Sequence, residues 1–402
     1  MDFLTQYLIY NGGNMSPRRF HLWSALSILA MTMSRKIYVD HEYFQIHPSL
    51  YICLVGRQGL RKSTAKDLAK NMFIEVFPDY PLGASVQSRE KIVEQLAKDD
   101  CLRVFTDENG NSVEIKPIAF FVNELKNFMS INPGGMVEFL TDIYDTKFFA
   151  AATIKHGLQP IINPCVNILA CETPKWIVEK LKLNVIAGGF SRRMIYAYET
   201  ESPERITFPV KSAQAKEAEE WCKAHLRKIN DLRGVFTWEP EAKLFFDHWF
   251  KNLPRMEDEI LEGFYEAKDV LAMKISMLVA VAQEEPKLVF TKDILQLGIA
   301  HLESIEDNLP KLTIAAGRNE LAVPQQRFLE LIENNGGMMD EQTWHMLANK
   351  EVNEIEFSGI KRFFKETGQL YERTFQKNGE PPKMYVFNKE KVDELKKKGE
   401  WQ

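Results

Sequence analysis

The stretch "LYICLVGRQGLRKSTAKDLAKNMF", residues 50–73, decides how the rest of the chain is read. An apolar run from Leu50 to Val55 has the character of a buried strand, Gly56 opens a turn, and a helix-forming segment starts near Ser63. Set against the pattern G-x-x-x-x-G-K-S/T, the residues are Gly56-Arg57-Gln58-Gly59-Leu60-Arg61-Lys62-Ser63. Such a loop needs glycines so that backbone N–H groups can curl around a phosphate, a lysine for the phosphate oxygens, and a hydroxyl for Mg²⁺. Only the second glycine is missing, replaced by Arg61. Glycine is preferred there for its backbone freedom rather than for a side-chain role, and Gly59 still offers one sharp turn. The expectation is a loop for ATP and Mg²⁺ contacted by Gly56, Gly59, Arg61, Lys62, Ser63 and Thr64, with Ser63 on the metal. The competing readings are a chance strand, turn and helix, or a degenerate loop that binds without hydrolysing.

The composition allows this and decides little else. A chain of 402 residues has room for two or three units, and 45% apolar with 27% charged residues is the balance of a globular protein with a core. A net charge of −5 means that any nucleic-acid site must be a local basic patch or channel. Five scattered cysteines, an odd number without metal-type pairing, point away from a disulfide framework and a zinc site and towards a reducing compartment. The apolar run from Phe20 to Met33 is about 14 residues long, shorter than a membrane span, so a buried helix and a cytoplasmic protein without membrane contact are expected.

Along the chain, residues 1–47 read as a helical segment, with Ser16 at the N-cap and Pro17 at the first helical position of "SPRRFHLWSALSILAMTM". Residues 48–210 alternate strands and helices. "LRVFTDENGNSVEIKP" reads as a hairpin, and the apolar runs at 118–123, 165–171 and 193–199 read as strands buried on both faces, as in a parallel sheet. Residues 211–315 read as helices only, a lid subdomain. In 322–390, three helices precede a hairpin, the order of a winged helix, and 391–402 form a charged tail.

Three further stretches follow the loop in the order a nucleotide hydrolase needs. In "IAFFVNEL", Asn123 stands where an aspartate is usual for Mg²⁺, and Glu124 is the candidate base that activates water; a plain helix-start acid is the alternative for Glu124. "CVNILACETPKWI" ends a strand at Glu172 and Thr173, either of which can sense a terminal phosphate, or Thr173 can simply cap a helix. "GGFSRRMIYAYE" puts Arg192 and Arg193 before a strand, where an arginine can reach the phosphate of a neighbouring subunit or merely form a salt bridge.

Together with "SPRRFHLWSALSILA", "INPCVNILACETPKWI" and "AKDVLAMKISMLVAVA", these motifs resemble the phage- and mobile-element-encoded helicase-like P-loop ATPases, over about residues 3–315. The resemblance implies an α/β P-loop NTPase core of the AAA+/RecA-like kind with a helical lid. It also implies an Arg-Lys-Ser-Thr form of the loop like Arg61–Thr64, catalytic roles for Lys62, Glu124 and Arg193, and Lys274 of the lid reaching the phosphates. Asn123 departs from the family's acidic pair. The activity implied is that of an ATP-dependent DNA helicase or translocase in phage or mobile-element replication, working as a homo-oligomeric ring, a hexamer on the resemblance, with a primase or replication initiator as a further partner. An ATP-gated DNA-binding assembly factor, a loader or transposition regulator, is the alternative. For single-stranded DNA, Lys147, Lys155 and His156 with Phe148 or Phe149 on a hairpin before residue 165 are one candidate surface. Lys361, Arg362 and Lys365 on a recognition-type helix, with Arg373 and Lys377 in the wing, are the other, among acidic neighbours Glu354, Glu356, Glu366 and Glu372.

Overall fold

The computed structural model describes residues 1–153, 157–177, 189–201, 206–253, 265–306, 327–348, 354–375 and 383–401. It divides into two compact units, Met1–Thr313 and Ile314–Gln402. Both mix helices with strands, and the larger carries a mostly parallel sheet. No helix among the described residues is long and apolar enough to cross a membrane.

The first unit opens with α1 (Phe3–Tyr10) and α2 (Arg18–Met33). The Asp2 carboxylate caps α1 by accepting from the Thr5 N–H at 2.9 Å. α2 is buried at every position from Trp23 to Met33, as an apolar surface on all sides requires. Ser16 does not cap it. Pro17 holds the cap position instead, and the Ser16 hydroxyl donates to the Arg61 carbonyl at 3.0 Å.

β1 (Ile37–Asp40) and β2 (Gln45–Ile46) pair as a short hairpin and lead to β3 (Tyr51–Val55), which is buried throughout. α3 (Lys62–Val76) and α4 (Arg89–Ala97) precede β4 (Arg103–Thr106) and β5 (Ser112–Val122). α5 (Leu125–Phe128), α6 (Pro133–Ile143) and the antiparallel hairpin of β6 (Phe148–Thr153) and β7 (Gly157–Ile162) lead to β8 (Pro164–Glu172) and β9 (Met194–Tyr198). The central sheet runs β4-β5-β8-β3-β9, with β5, β8, β3 and β9 parallel. Burial on both faces explains why β3, β8 and β9 read as unbroken apolar runs. The second arm of the expected hairpin and the run at 118–123 prove to be one strand. β5 is antiparallel to β4 up to Ile115 and parallel to β8 from Lys116 on. Pro117, which has no N–H to give, sits just past that change of partner.

α7 (Ala213–Asn230), β10 (Gly234–Val235), β11 (Thr237–Trp238), α8 (Pro240–Lys251), α9 (Lys268–Ala282), β12 (Val289–Phe290) and α10 (Lys292–Glu306) complete the unit. The expectation of helices alone is therefore corrected: β10 pairs in parallel with β1, and β11 with β12. α7 packs on α1 and α3, and α9 on α2, so this segment shares the compact unit of the sheet.

In the second unit, a helical stretch at 327–334 is followed by β13 (Met338–Asp340), α11 (Glu341–Ala348), α12 (Glu354–Glu366), β14 (Leu370–Phe375), β15 (Lys383–Asn388) and α13 (Lys389–Lys397). Its antiparallel sheet runs β13-β15-β14. Phe328, Ile332, Trp344, Phe357, Ile360 and Val386 form a core of its own. β13 was not read from the sequence, where three residues after two glycines carry no visible period.

Candidate functional site

Ligands of open parallel sheets bind beyond the carboxyl ends of the strands, and the loop at 56–61 leaves β3 at that end. The pairing of Val55 with Glu172 of β8 and with Tyr198 of β9 puts the loop between two neighbouring strand ends. The Gly56 N–H donates to the Glu172 carbonyl at 3.2 Å, and the Glu199 N–H to the Val55 carbonyl at 3.0 Å. A Cβ on Gly56 would lie 2.6 Å from Leu60 and 3.0 Å from the Glu199 carbonyl, so only glycine fits. Gly59 has φ +81°, and Arg61 has φ +59° and ψ +27°. Arg61 thus keeps the left-handed backbone that the missing glycine would have had, at a cost of about 1 kcal/mol, with its side chain exposed.

Lys62 is the first residue of α3 and its amine folds back over the loop, donating to the carbonyls of Gly56 at 2.5 Å and Arg57 at 2.9 Å. Burial lowers its pKa, while the neighbouring Cys171, Cys53, Glu172 and Glu124 act in the opposite sense. Ser63 is exposed and Thr64 half-buried in the first turn of α3, at the positive end of the helix dipole. Burial pushes the Cys171 thiol up to about 12, with Lys66 and Lys62 offsetting part of the rise.

Two carboxylates stand at the ends of the adjoining strands. Glu124 follows β5 at the N-cap of α5; it accepts from the Asn127 amide at 3.0 Å, pairs with Lys126 at 3.1 Å, and keeps about half of its side chain exposed, 48%. Asn123 beside it is exposed. Glu172 is buried, and its carboxylate accepts from the Lys126 N–H at 2.9 Å, the Thr173 N–H at 2.7 Å and the Thr173 hydroxyl at 3.0 Å. The two residues that the sequence left level are thereby separated: Thr173 holds Glu172 in place. Sequence reasoning missed Ser16, tied to Arg61, and Arg19, whose guanidinium donates to the Tyr198 carbonyl at 2.9 Å and pairs with Glu199 at 3.8 Å. The signal was present in "SPRR", two cations and a hydroxyl ahead of a buried helix.

Other expected residues lie elsewhere. Lys274 does not reach the loop, which corrects the expectation drawn from the resemblance. It is fully buried on α9 and donates to the Asp145 carboxylate at 2.9 Å and the Ser49 carbonyl at 3.3 Å, 4.0 Å from the Tyr144 ring centre. Ser49 precedes β3, so the length of that strand, roughly 17 Å, separates this amine from the loop. An amine in the middle of a helix buried on all sides has no water within reach and takes a local acid instead. Arg193 also belongs to the amino end of the sheet, next to Met194, which pairs with Tyr51. It turns inward, donating to the Gly189 carbonyl at 2.6 Å and lying 5.6 Å from the Tyr144 ring centre, whereas Arg192 is exposed.

The β6–β7 hairpin bears exposed Lys147 and an exposed Phe148, while Phe149 packs on Phe139 at 5.4 Å. Lys155 and His156 lie outside the described residues, as does Lys377. In the second unit Lys361 pairs with Glu341 and, at 2.8 Å, with Glu372, which also holds Lys365 at 2.7 Å. Arg373 stacks between Phe375 and Trp401, at 5.3 and 5.4 Å. Arg362 is exposed on α12.

Compared with known families the chain matches no family model, and compared with curated proteins it matches none.

Proposed function

We propose that the first unit is an ATP-binding and ATP-hydrolysing core of the P-loop, AAA+/RecA-like kind, acting on single-stranded DNA as a helicase or translocase in a homo-oligomeric ring. The observation that carries the reading is the left-handed backbone at Arg61 directly before Lys62 and α3, at the carboxyl end of a buried parallel strand. A sequence that had merely drifted into the pattern has no reason to keep arginine in a strained conformation.

The residues fit a magnesium-bound nucleotide. Among the described residues no three His, Cys, Asp or Glu side chains cluster into a metal cage, and Mg²⁺ at nucleotide sites takes few protein ligands, keeping waters and phosphate oxygens. Ser63 would hold it, with Asn123 and the fixed Glu172 facing its water shell. The ion would neutralise charge developing on the phosphates. Lys62 would exchange the Gly56 and Arg57 carbonyls for phosphate oxygens, and the α3 amino end would add its dipole. Glu124, half-exposed and tied only to surface groups, would take the proton from an attacking water. DNA would meet Lys147 and Phe148 on the β6–β7 hairpin.

Among the described residues of the second unit, the order helix, strand, helix, helix, strand, strand, followed by α13, also supports the winged-helix reading of its residues. Asn123, uncharged where an acid is usual, favours one alternative, an ATP-gated DNA-binding assembly factor that turns over slowly or not at all.

ATP hydrolysis by the full chain, with and without single-stranded DNA, tests both. DNA-stimulated turnover that falls at least about 10²-fold in Glu124→Gln and in Lys62→Ala supports the motor, with ATP binding lost only in Lys62→Ala. Binding without turnover in the wild type selects the assembly factor, and no ATP binding at all overturns the reading.

A further inference from the structure

A second feature of the first unit lies away from the loop. Between the end of α2, the turn after α3, the β4–β5 hairpin and the turn after α7 there is a cavity of about 380 Å³. Three cations from three of these elements line it: Lys36, Arg103 and Arg233. Their hydrogen bonds go to neutral groups. Lys36 donates to the backbone and side-chain oxygens of Asn230 at 2.6 and 2.8 Å, Arg103 to the carbonyls of Asp100, Leu102 and Asp79, and Arg233 to the Asp231 carbonyl. Among the described residues none of the three forms an ion pair with a carboxylate, although Asp79 also lines the space.

Three unpaired cations around one cavity are held apart against their own repulsion, a cost that an anion removes. Burial first, and Arg233 second, push the Lys36 amine down to about 7, while Asp231 and Cys165 act in the opposite sense. An anion seated between Lys36 and Arg233 would offset the repulsion between them and draw the Lys36 amine back towards its charged form. The remaining wall includes three aromatic side chains, Phe77, Tyr80 and Phe105, beside aliphatic ones such as Val76, Val104 and Ile115, and the Arg233 guanidinium lies 5.9 Å from the Phe105 ring centre. The space is of small-molecule size, and an inorganic anion would leave the aromatic wall uncovered.

We propose that this cavity is a second ligand site for a nucleotide-class molecule, its phosphate held by Lys36, Arg103 and Arg233 and its flat base set against Phe77, Tyr80 and Phe105. The site is independent of the loop at 56–61 and stands whether or not that loop hydrolyses ATP. Nucleoside monophosphate is the smallest molecule that satisfies both walls, since every base has a flat face that stacks on aromatic rings.

Equilibrium dialysis of AMP and of inorganic phosphate against the full-length protein tests this, in a Lys62→Ala background that disables the loop. One AMP site is expected to persist there, to weaken at least tenfold in Lys62→Ala/Arg103→Gln/Arg233→Gln, and to weaken also in Lys62→Ala/Phe105→Leu. Phosphate binding should fall with the arginine pair and be unchanged by Phe105→Leu, which keeps the cations and an apolar side chain. A Lys62→Ala protein that binds no AMP, or AMP binding indifferent to the arginine pair, overturns the site. Phosphate binding as tightly as AMP overturns the base wall. Failure of the ATPase reading shows separately, as unchanged ATP binding between wild type and Lys62→Ala.

Discussion

Arg61 carries the strain of the loop in a side chain that makes no use of it. At φ +59° a β-carbon crowds the following carbonyl, and glycine would relieve that contact while losing more entropy on folding. Arg61→Gly should therefore change stability by under about 1 kcal/mol and leave ATP binding intact, whereas Arg61→Val, with a branched β-carbon in the same conformation, should lose at least about 1 kcal/mol. Thermal melts of the two variants beside wild type check this, and a valine variant as stable as the glycine one would mean that the loop is not held left-handed in solution. The two arginines before β9 separate in the same way. Arg193 is spent on the Gly189 carbonyl and the Tyr144 ring, so Arg193→Ala should act mainly on stability. Arg192 faces outward, and if subunits share a site, Arg192→Ala should lower turnover about 10³-fold with ATP affinity unchanged. The sequence shows both arginines but not which one turns inward, since that depends on Tyr144, 49 residues before Arg193. Likewise Glu172 and Thr173 looked equivalent until the Lys126 N–H, from another strand end, was seen to fix the glutamate.

At the scale of elements, apolar runs and turn chemistry were enough for β3, β8, β9 and for α3 after the loop, because burial on both faces leaves a long uniform signal in the strands. They failed where pairing decides. β5 changes neighbours halfway along without any break in its backbone, and two-residue strands such as β10 and β12 exist only through β1 and β11. The resemblance misled at α9 for a related reason: Lys274 stands in the middle of a helix whose other faces are all covered, and its place is fixed by Asp145 on a different element. This pair makes a pH prediction. Burial lowers the Lys274 amine and Asp145 opposes that, so Asp145→Asn lowers it further. Below the lowered value, folded and unfolded chains both carry the proton and the whole penalty stands, about 3 kcal/mol for an unpaired buried charge. Between it and the unfolded value near about 10.4, the unfolded chain holds a proton that the folded chain has released, so stability recovers as pH rises. The melting-temperature gap between wild type and Asp145→Asn should narrow as pH rises through the lowered Lys274 value towards the unfolded one. Lys274→Met, which removes the charge and keeps the stem, should lose less than Asp145→Asn at neutral pH. A gap that is constant with pH would mean that Lys274 is not the titrating group.

For the whole molecule, the division into Met1–Thr313 and Ile314–Gln402 sets what each part can be asked to do. The second unit has a closed apolar core around Trp344, whose indole N–H donates to the Phe328 carbonyl at 3.1 Å, so residues 314–402 expressed alone should melt cooperatively. Its surface argues against the strong DNA contact that its lysines suggest in sequence. Lys361 and Lys365 share Glu372, and Glu341 takes the other side of Lys361, so binding a phosphate there must first break ion pairs. Sequence spacing showed the acids nearby but not that one of them, from β14, reaches both lysines across the unit. The isolated second unit should therefore bind single-stranded or duplex DNA no more tightly than roughly 10⁻⁴–10⁻⁶ M at physiological salt, the range of non-specific contacts. Glu372→Gln, which frees both lysines, should tighten binding and steepen its salt dependence. Residues 1–313 should keep ATP binding and the AMP site without the second unit. Fluorescence anisotropy over a salt series reads the first pair of outcomes. Tight, sequence-selective binding by wild-type 314–402, unchanged by Glu372→Gln, would instead place DNA recognition on a surface that these lysines do not form.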